Sequence, residues 1–317
     1  MIASYRAFSR QEHSLPLFMR DWWLDATCGP KGWGAATVEK GGEVQAALPF
    51  AVKRRGPFTV LSQPTLTPFL GPWIRETGAK SANELARQKD LMEALIVALP
   101  RHDHYQQNWN PSVTNWLPFY WHGFQQSTGY TYRLHDCTDS KAIWDGMAEN
   151  IRREIRKAQN RVGIIIDPMA SLDEFLMLNA QTFRRQSRTA SYSAGYVKTI
   201  FSACAQRSCS QIIVARDPSG TAHAGAFLVW SDSTVYYLLG GGDPALRNSG
   251  AGSLCLWHAI KLAGEMGKIF DFEGSMIEPI ERFFRAFGGR QTPYMRVTKS
   301  PNRLLRAGLA LKTALSA

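Results

Sequence analysis

The stretch from Leu238 to Gly289, with the strand that feeds it, constrains this chain more than any other part. Strand, turn and helix signals follow one another there without a gap. The run VYYLLGGG, aromatic and aliphatic, reads as a strand. The turn Arg247-Asn248-Ser249-Gly250-Ala251-Gly252 comes next, followed by a helical pattern, SLCLWHAIKLAGEMG. A second strand, KIFDFEGS, then carries Asp271 and Glu273. A helix set between two strands belongs to an α/β unit. The turn also has a chemical consequence, because the first N–H groups of a helix lack intrahelical partners and form a seat for a phosphate. Gly250 and Gly252 remove side chains where such a group would approach, and Ser253 can cap the helix. An ordinary glycine-rich connection is the competing reading.

The rest of the chain repeats this architecture. With 317 residues, 44% of them hydrophobic, two domains of roughly 150 residues are expected. The first part opens with a helix over SLPLFMRDWWLDAT. Strands GWGAATVEK and EVQAALPFAVKRR follow, joined by Gly41-Gly42 in the manner of a hairpin. PFTVLSQPTLTPFLGPW is rich in proline and aromatics and reads as a loop or edge strand. ANELARQKDLMEALIVAL is an amphipathic helix, HDHYQQNWN a strand, SVTNWLPFYWHGF an aromatic helix or loop, and GYTYRLHD a closing strand. The second part starts with KAIWDGMAENIRREIRKAQNRVG, read as one helix ended by Gly163. Strand IIIDPM, helices SLDEFLMLNAQTFRRQ and AGYVKTIFSACAQR, and strands CSQIIVARD and HAGAFLVWSD lead back to VYYLLGGG. The order helix, hairpin strands, helix, strand therefore occurs twice. This predicts two α/β halves of the α+β type, residues 1–140 and 141–317, each with a mixed, mostly antiparallel sheet. The final segment, PNRLLRAGLALKTALSA, carries Arg303, Arg306 and Lys312 and reads as a basic amphipathic helix. It packs on its own domain or faces a membrane surface or RNA.

A net charge of +11 suits an anionic partner such as nucleic acid, a nucleotide-linked precursor or an anionic membrane face; a plain solubility charge is the alternative. The five cysteines are scattered without a metal-ligand spacing, which suits a reducing compartment and predicts no metal. No apolar run has signal-peptide or bilayer length, so a cytoplasmic protein without an integral membrane segment is expected. The chain contains no G-x-S-x-G elbow, no G-x-x-x-x-G-K-[ST] loop and no H-E-x-x-H helix, which sets aside hydrolase, NTPase and zinc-enzyme readings.

Other candidates carry charge or aromatic surface. Asp271 and Glu273, two apart in a strand, would share one face and orient an amine or accept its proton. Equally, they would pair with Arg282 or Arg285, and Glu278 and Glu281 lie close in sequence. The helix bearing Arg152, Arg153, Arg156, Lys157 and Arg161 presents a basic face, either for phosphates or for solvent. Arg184, Arg185 and Arg188 form a smaller cluster. In the first part, Lys53, Arg54 and Arg55, with Thr67 and Phe69 of QPTLTPFLG, are candidates for acceptor recognition. Trp116 and Tyr120, with Trp109 and Trp121, add an aromatic wall or a core.

The spacing R-x-x-G-x-G at Arg247–Gly252 resembles the pyrophosphate loop of the GNAT acyltransferases. R-x-x-I-R-K-A from Arg152, the segment DFEGSMIEPIERFFRAFGG and the proline-threonine loop are similar to those of the Fem family, which resembles two GNAT folds in tandem. The resemblance implies a transferase in which an activated carbonyl meets an amine or hydroxyl acceptor in a groove between the halves. The donor would be aminoacyl-tRNA, favoured by the basic charge, or acyl-CoA, favoured by the glycine turn, with no tightly bound cofactor. The acceptor would be a small-molecule or cell-envelope-precursor amine. Fem chains place an aromatic residue and a lysine where this chain has Phe284 and Arg285. Arginine in that place would stabilise an oxyanion as a fixed cation. A non-catalytic module binding a nucleotide-linked precursor is the contrasting reading.

Overall fold

The structure is a computed structural model that describes residues 2–78, 80–185 and 190–302. The basic end segment with Arg303, Arg306 and Lys312 lies outside the described residues, as do Arg188 and the side chains of Arg184 and Arg185. The chain divides into two compact units, Met1–Gly129 with Pro293–Ala317, and Tyr130–Thr292.

In the first unit the residues around Pro16 interrupt the helix expected there. Helix α1 spans Ile2–Gln11, a single 3-10 turn covers Leu17–Met19, and α2 runs Asp21–Cys28. Strands β1 (Trp33–Lys40) and β2 (Glu43–Arg55) form the hairpin, with Gly41 and Gly42 at φ 62° and 81° and Lys40 opposite Glu43. Strand β3 (Phe58–Ser62) lies between β2 and a later strand, so it is interior rather than an edge. Pro57 stands just before it, where no ladder donor is lost. Strand β4 (Trp73–Ile74) adds to β2 at Ala46 and Ala47. Helix α3 (Ser81–Ala98) leads to β5 (His104–Asn108), which runs parallel to β3. Helix α4 (Leu117–Trp121) precedes β6 (Gln125–Leu134). Strand β2 is buried on both faces, hence its unbroken apolar run. Leu48 and Phe50 share a core cluster with Met92 and Leu95 of α3, while Tyr5 of α1 meets the ring of Trp33 on β1.

In the second unit, the segment expected as one helix is broken into three. Helix α5 (Ser140–Gly146) is capped by the Asp139 side chain. Helix α6 (Glu149–Arg156) continues as a π-helical turn, Lys157–Val162, and Gly163 closes it at φ 76°. The break falls at Met147 and Ala148, whose backbones are extended. The Ala148 N–H donates to Ala286 O, a contact that a continuous helix could not make. Then follow β7 (Ile165–Asp167), α7 (Leu172–Arg185), α8 (Ala194–Ala205), β8 (Ser210–Arg216), β9 (Ala222–Trp230) and β10 (Thr234–Gly242). Helix α9 (Ala251–Glu265), β11 (Ile269–Asp271), α10 (Glu278–Arg285) and β12 (Arg290–Lys299) complete the chain. Strands order as β6-β11-β10-β9-β8-β7, antiparallel except that β10 and β11 are parallel. β12 ends in the first unit, antiparallel to β5 with Arg296 opposite Asn108.

Both units thus share one course, three antiparallel strands, a helix and a parallel return: β1-β2-β3-α3-β5 and β8-β9-β10-α9-β11. The fold is a mixed, mostly antiparallel α/β arrangement of this kind. In the second unit α9 packs against β8, β9 and α6, joining Ile151, Ile155 and Ala158 to Leu254 and Cys255 in one apolar cluster. On the other face Phe175 of α7 meets Phe227 of β9. Near the end of α9 a Cβ on Gly264 would lie 2.1 Å from Cys137 O. Gly264→Ala is therefore expected to destabilise the protein by about 1–3 kcal/mol despite its better helix propensity. A urea titration with an unchanged midpoint would refute that.

Candidate active site

β10 and β11 run side by side only from Thr234–Tyr236 against Ile269–Asp271. β10 continues to Gly242, still paired to β9 as far as Ala224, whereas β11 stops at Asp271. The two strands therefore part, leaving a wedge between Tyr237–Gly242 and Phe272–Gly274. Phe284 of α10 fills its base, with its ring 6.0 Å from Tyr237 and 5.5 Å from Phe272. Phe284 is thus a buried packing residue of the site.

The β10 edge facing away from β9 is occupied by α7. Asn179 Nδ2 donates to Gly240 O at 2.7 Å, and Gly242 N–H donates to Thr182 Oγ1 at 3.0 Å. Tyr192 OH holds Asn179 Oδ1 at 3.1 Å. A Cβ on Gly241 would come within 2.5 Å of Asn179 N, so only glycine admits α7 this closely. These residues were not singled out from sequence; the triple glycine ending β10 was the one available signal.

The glycine turn sits between β10 and α9 as expected. Arg247–Ser249 form a 3-10 turn, and Gly250 at φ 82° is the N-cap of α9. Ser253 is buried inside the helix, so the expectation that it caps α9 is corrected; the N-cap Gly250 makes no side-chain cap bond, and Ser249 serves that end instead. Ser249 Oγ accepts from Ala251 N–H. The two fixed glycines differ. A Cβ on Gly250 would strike Glu154 O at 2.2 Å, so its bareness serves the packing of α6. A Cβ on Gly252 would meet nothing within 4 Å, so no described neighbour demands glycine there. Arg247 is exposed beside the turn.

The carboxylates are arranged differently from a shared strand face. The strand ends at Asp271, and Glu273 lies beyond it at φ 57°. Asp271 is fully buried and pairs with Arg133 Nε of β6 at 2.7 Å, not with Arg282 or Arg285. It also accepts from Thr131 Oγ1 at 2.5 Å and from Glu273 N–H at 2.8 Å. Among the described residues Glu273 Oε1, a buried atom, has no hydrogen-bond partner. Burial, and then the Asp271 charge, push the Glu273 carboxyl well above its ordinary value. Arg285, with its side chain 60% exposed, donates from Nε to Glu281 Oε1 at 2.9 Å. Glu281 also accepts from Tyr132 OH, and Gln291 Nε2 donates to that hydroxyl at 3.1 Å.

The basic helix is partly neutralised by its own acids. Arg152 and Arg156 pair with Glu149 at 2.7 and 3.1 Å, and Lys157 pairs with Glu154 at 2.6 Å. Arg156 also lies over the Trp144 ring at 5.4 Å. Arg153 and Arg161 are exposed. In the first unit, Arg54 and Arg55 are exposed at the end of β2, while burial lowers the pKa of half-buried Lys53. Thr67 and Phe69 are buried: Thr67 Oγ1 accepts from Trp23 Nε1 at 2.9 Å, and Phe69 packs edge-on to Tyr294. Trp116 meets Tyr120 edge-on, and Tyr120 is 58% exposed. Among the described residues no His, Cys, Asp and Glu cluster could hold a metal, and no helix is long and apolar enough to cross a membrane.

A carboxyl whose folded pKa is raised contributes stability that is complete below the ordinary carboxylate range. That contribution is lost as pH rises through the folded value. Glu273→Gln, which keeps the shape, is therefore expected to be more stable than the wild type at neutral pH. The difference should shrink to nothing in acid. Thermal unfolding across pH checks this, and a pH-independent difference would contradict it.

Comparison with known proteins agrees with this layout. A family model described as "Acetyltransferase (GNAT) domain" matches residues 146–276. A search of curated proteins finds no match. The solved structure of FemX is similar at TM-score 0.68 and 14% identity, over 93% of this chain and 95% of that one. L-PGS from Bacillus licheniformis is similar at 0.54 and 11%, over 98% and 95% of the two chains. A tandem GNAT protein from the clavulanic acid biosynthesis pathway is similar at 0.53 and 12%, over 95% of each. At these identities the likeness to solved structures is one of fold. Residues 146–276 thus match a GNAT acetyltransferase domain, and the fold around them is similar to those of FemX and the tandem GNAT protein.

Proposed function

We propose that this protein transfers an aminoacyl group from aminoacyl-tRNA to an amine, forming an amide by direct attack. The observation that carries the reading is the wedge where β11 leaves β10, with the glycine turn and the start of α9 beside it. A phosphate of the donor sits against the backbone of Gly250–Ser253, with Arg247 alongside. No described residue gives a packing reason for glycine at 252, which supports this. Arg153 and Arg161, with the net charge of +11, serve the tRNA backbone, and the ion-paired Arg152, Arg156 and Lys157 add to that face. The acceptor is served from residues 1–140, by Lys53, Arg54, Arg55 and the aromatic pair Trp116 and Tyr120. Thr67 and Phe69 hold the loop beneath. A tRNA donor implies work in the cytoplasm.

Acyl-CoA is the second reading, favoured by the glycine turn itself. Against it, an extended amide-bearing arm would pair with a free strand edge, and Asn179 and Thr182 already occupy that edge of β10. Charged total tRNA and a set of acyl-CoAs, each with and without RNase, separate the two. Turnover that survives RNase and needs only acyl-CoA would reject the tRNA donor.

In this reading Arg285 stabilises the charge developing on the carbonyl oxygen, and Glu281 steers it. Arg285→Ala is expected to lower turnover by about two to three orders of magnitude while donor affinity stays near normal. Arg285→Lys should recover much of the loss. Near-full activity in the alanine variant would make the residue a structural partner of Glu281.

The two glycines of the turn give a second contrast. Gly252→Val should weaken donor binding in a protein that still folds, whereas Gly250→Val should fail to fold stably. Unchanged donor affinity in the Gly252 variant would make the turn purely structural.

A further inference from the structure

Glu273 is held in a conformation that its own preferences oppose. Its φ of 57° lies in the left-handed region, which non-glycine residues avoid. The surroundings enforce it. Its N–H is tied to Asp271 Oδ1 at 2.8 Å, and Asp271 is anchored by Arg133 and Thr131. The next residue, Gly274, also has positive φ, and a Cβ there would lie 2.3 Å from Tyr130 O. The turn is therefore jammed against β6 and cannot relax.

At this strained position one carboxyl oxygen, Oε1, is buried with no hydrogen-bond partner among the described residues, close to where β11 leaves β10. Folding a protein around an orphaned carboxyl brings no structural gain, since glutamine or an apolar residue would serve packing better. Strained backbone and an unsatisfied ionisable group together mark a reactive position. The titratable groups that act on it are Asp271 on β11 and Tyr236 on β10, and Arg133 on β6 stands behind Asp271. Arg133 Nε is bonded to Asp271, and burial pushes the Tyr236 phenol up to about 12, so Tyr236 stays neutral.

We propose that Glu273 is the proton acceptor for the attacking amine, an assignment that rests on the transferase reading above. An ammonium substrate first gives one proton to water; the free amine nitrogen then attacks the donor carbonyl carbon, and a C–N bond forms as a further proton of the nitrogen passes to the Glu273 carboxylate. The carbonyl bond to the donor oxygen (or, for an acyl-CoA, sulfur) then breaks. The leaving atom takes the proton from Glu273, which returns to carboxylate, so the products are one amide and one free hydroxyl or thiol. A desolvated carboxylate is a stronger base than one in water, which suits removal of a proton from an amine.

The test compares wild type with Glu273→Gln. Donors are aminoacylated total tRNA and, separately, acetyl-CoA, and the amine probes are ethylamine and hydroxylamine. Ethylamine is an ammonium ion at neutral pH, while hydroxylamine is largely unprotonated and needs less help. The variant is expected to lose about 100-fold in transfer to ethylamine, far less with hydroxylamine, and to keep donor affinity. Wild-type rates should rise with pH along an acid limb that the variant lacks. Independently, the neutral-carboxyl C=O stretch in the wild-type-minus-variant infrared difference should titrate above the ordinary carboxylate range. Equal ethylamine rates with the acid limb retained would overturn the assignment, as would a stretch that titrates in the ordinary range. A wild type that turns over neither donor removes the transferase reading itself, and this role with it. An active wild type with an equally active variant removes only this role.

Discussion

The contact on which the site depends is the pairing of Asp271 with Arg133. Asp271 is fully buried, and an unpaired charge there would carry a large desolvation penalty. Arg133 supplies the countercharge, Thr131 a hydroxyl and Glu273 its own N–H. Two of these bonds come from β6 and one from the turn beyond β11. Together they fasten β6 to β11, stop the strand at Asp271 and turn Glu273 out of strand geometry. The wedge, its aromatic base at Phe284 and the orphaned carboxyl all follow from where that strand stops.

The first unit shows what becomes of the same layout when the chain fills it. There too a parallel pair, β3 and β5, is short, running from Val60–Ser62 against His104–Gln106. Beyond it the chain bonds to itself. Leu70 N–H donates to Asn108 O, Asn110 N–H donates to Leu70 O, and β4 adds to β2. Thr67 and Phe69 lie in this filling segment, which explains their burial. The second unit instead places a short glycine turn between its strand and helix, where Ser249 Oγ accepts from Ala251 N–H and Gly250 is the N-cap of α9.

Glycines carry much of the site geometry, for unlike reasons. Gly250 makes room for α6, Gly241 for α7 and Gly264 for the chain at Cys137, while Gly252 has no close neighbour among the described residues. In sequence Gly250 and Gly252 read as one motif. Only the neighbours a Cβ would meet distinguish a packing glycine from one that no described neighbour constrains.

What the sequence determined by itself was local and periodic. The Gly41-Gly42 hairpin, the amphipathic α3, the strand-turn-helix run into α9 and the repeated element order all rest on interactions between near neighbours, which residue patterns record directly. The tertiary structure decided the rest. β12 is too polar, and too interrupted by Pro293, to announce itself, and it becomes a strand because β5 offers a partner. The long basic segment breaks between α5 and α6 because Ala148 bonds to Ala286. Arg285 was matched by its place beside Phe284, but its partner is Glu281, and the partner of Asp271 is Arg133, 138 residues away in sequence. Burial, strain and the pairing of charges depend on which distant segments meet, and no local pattern encodes that.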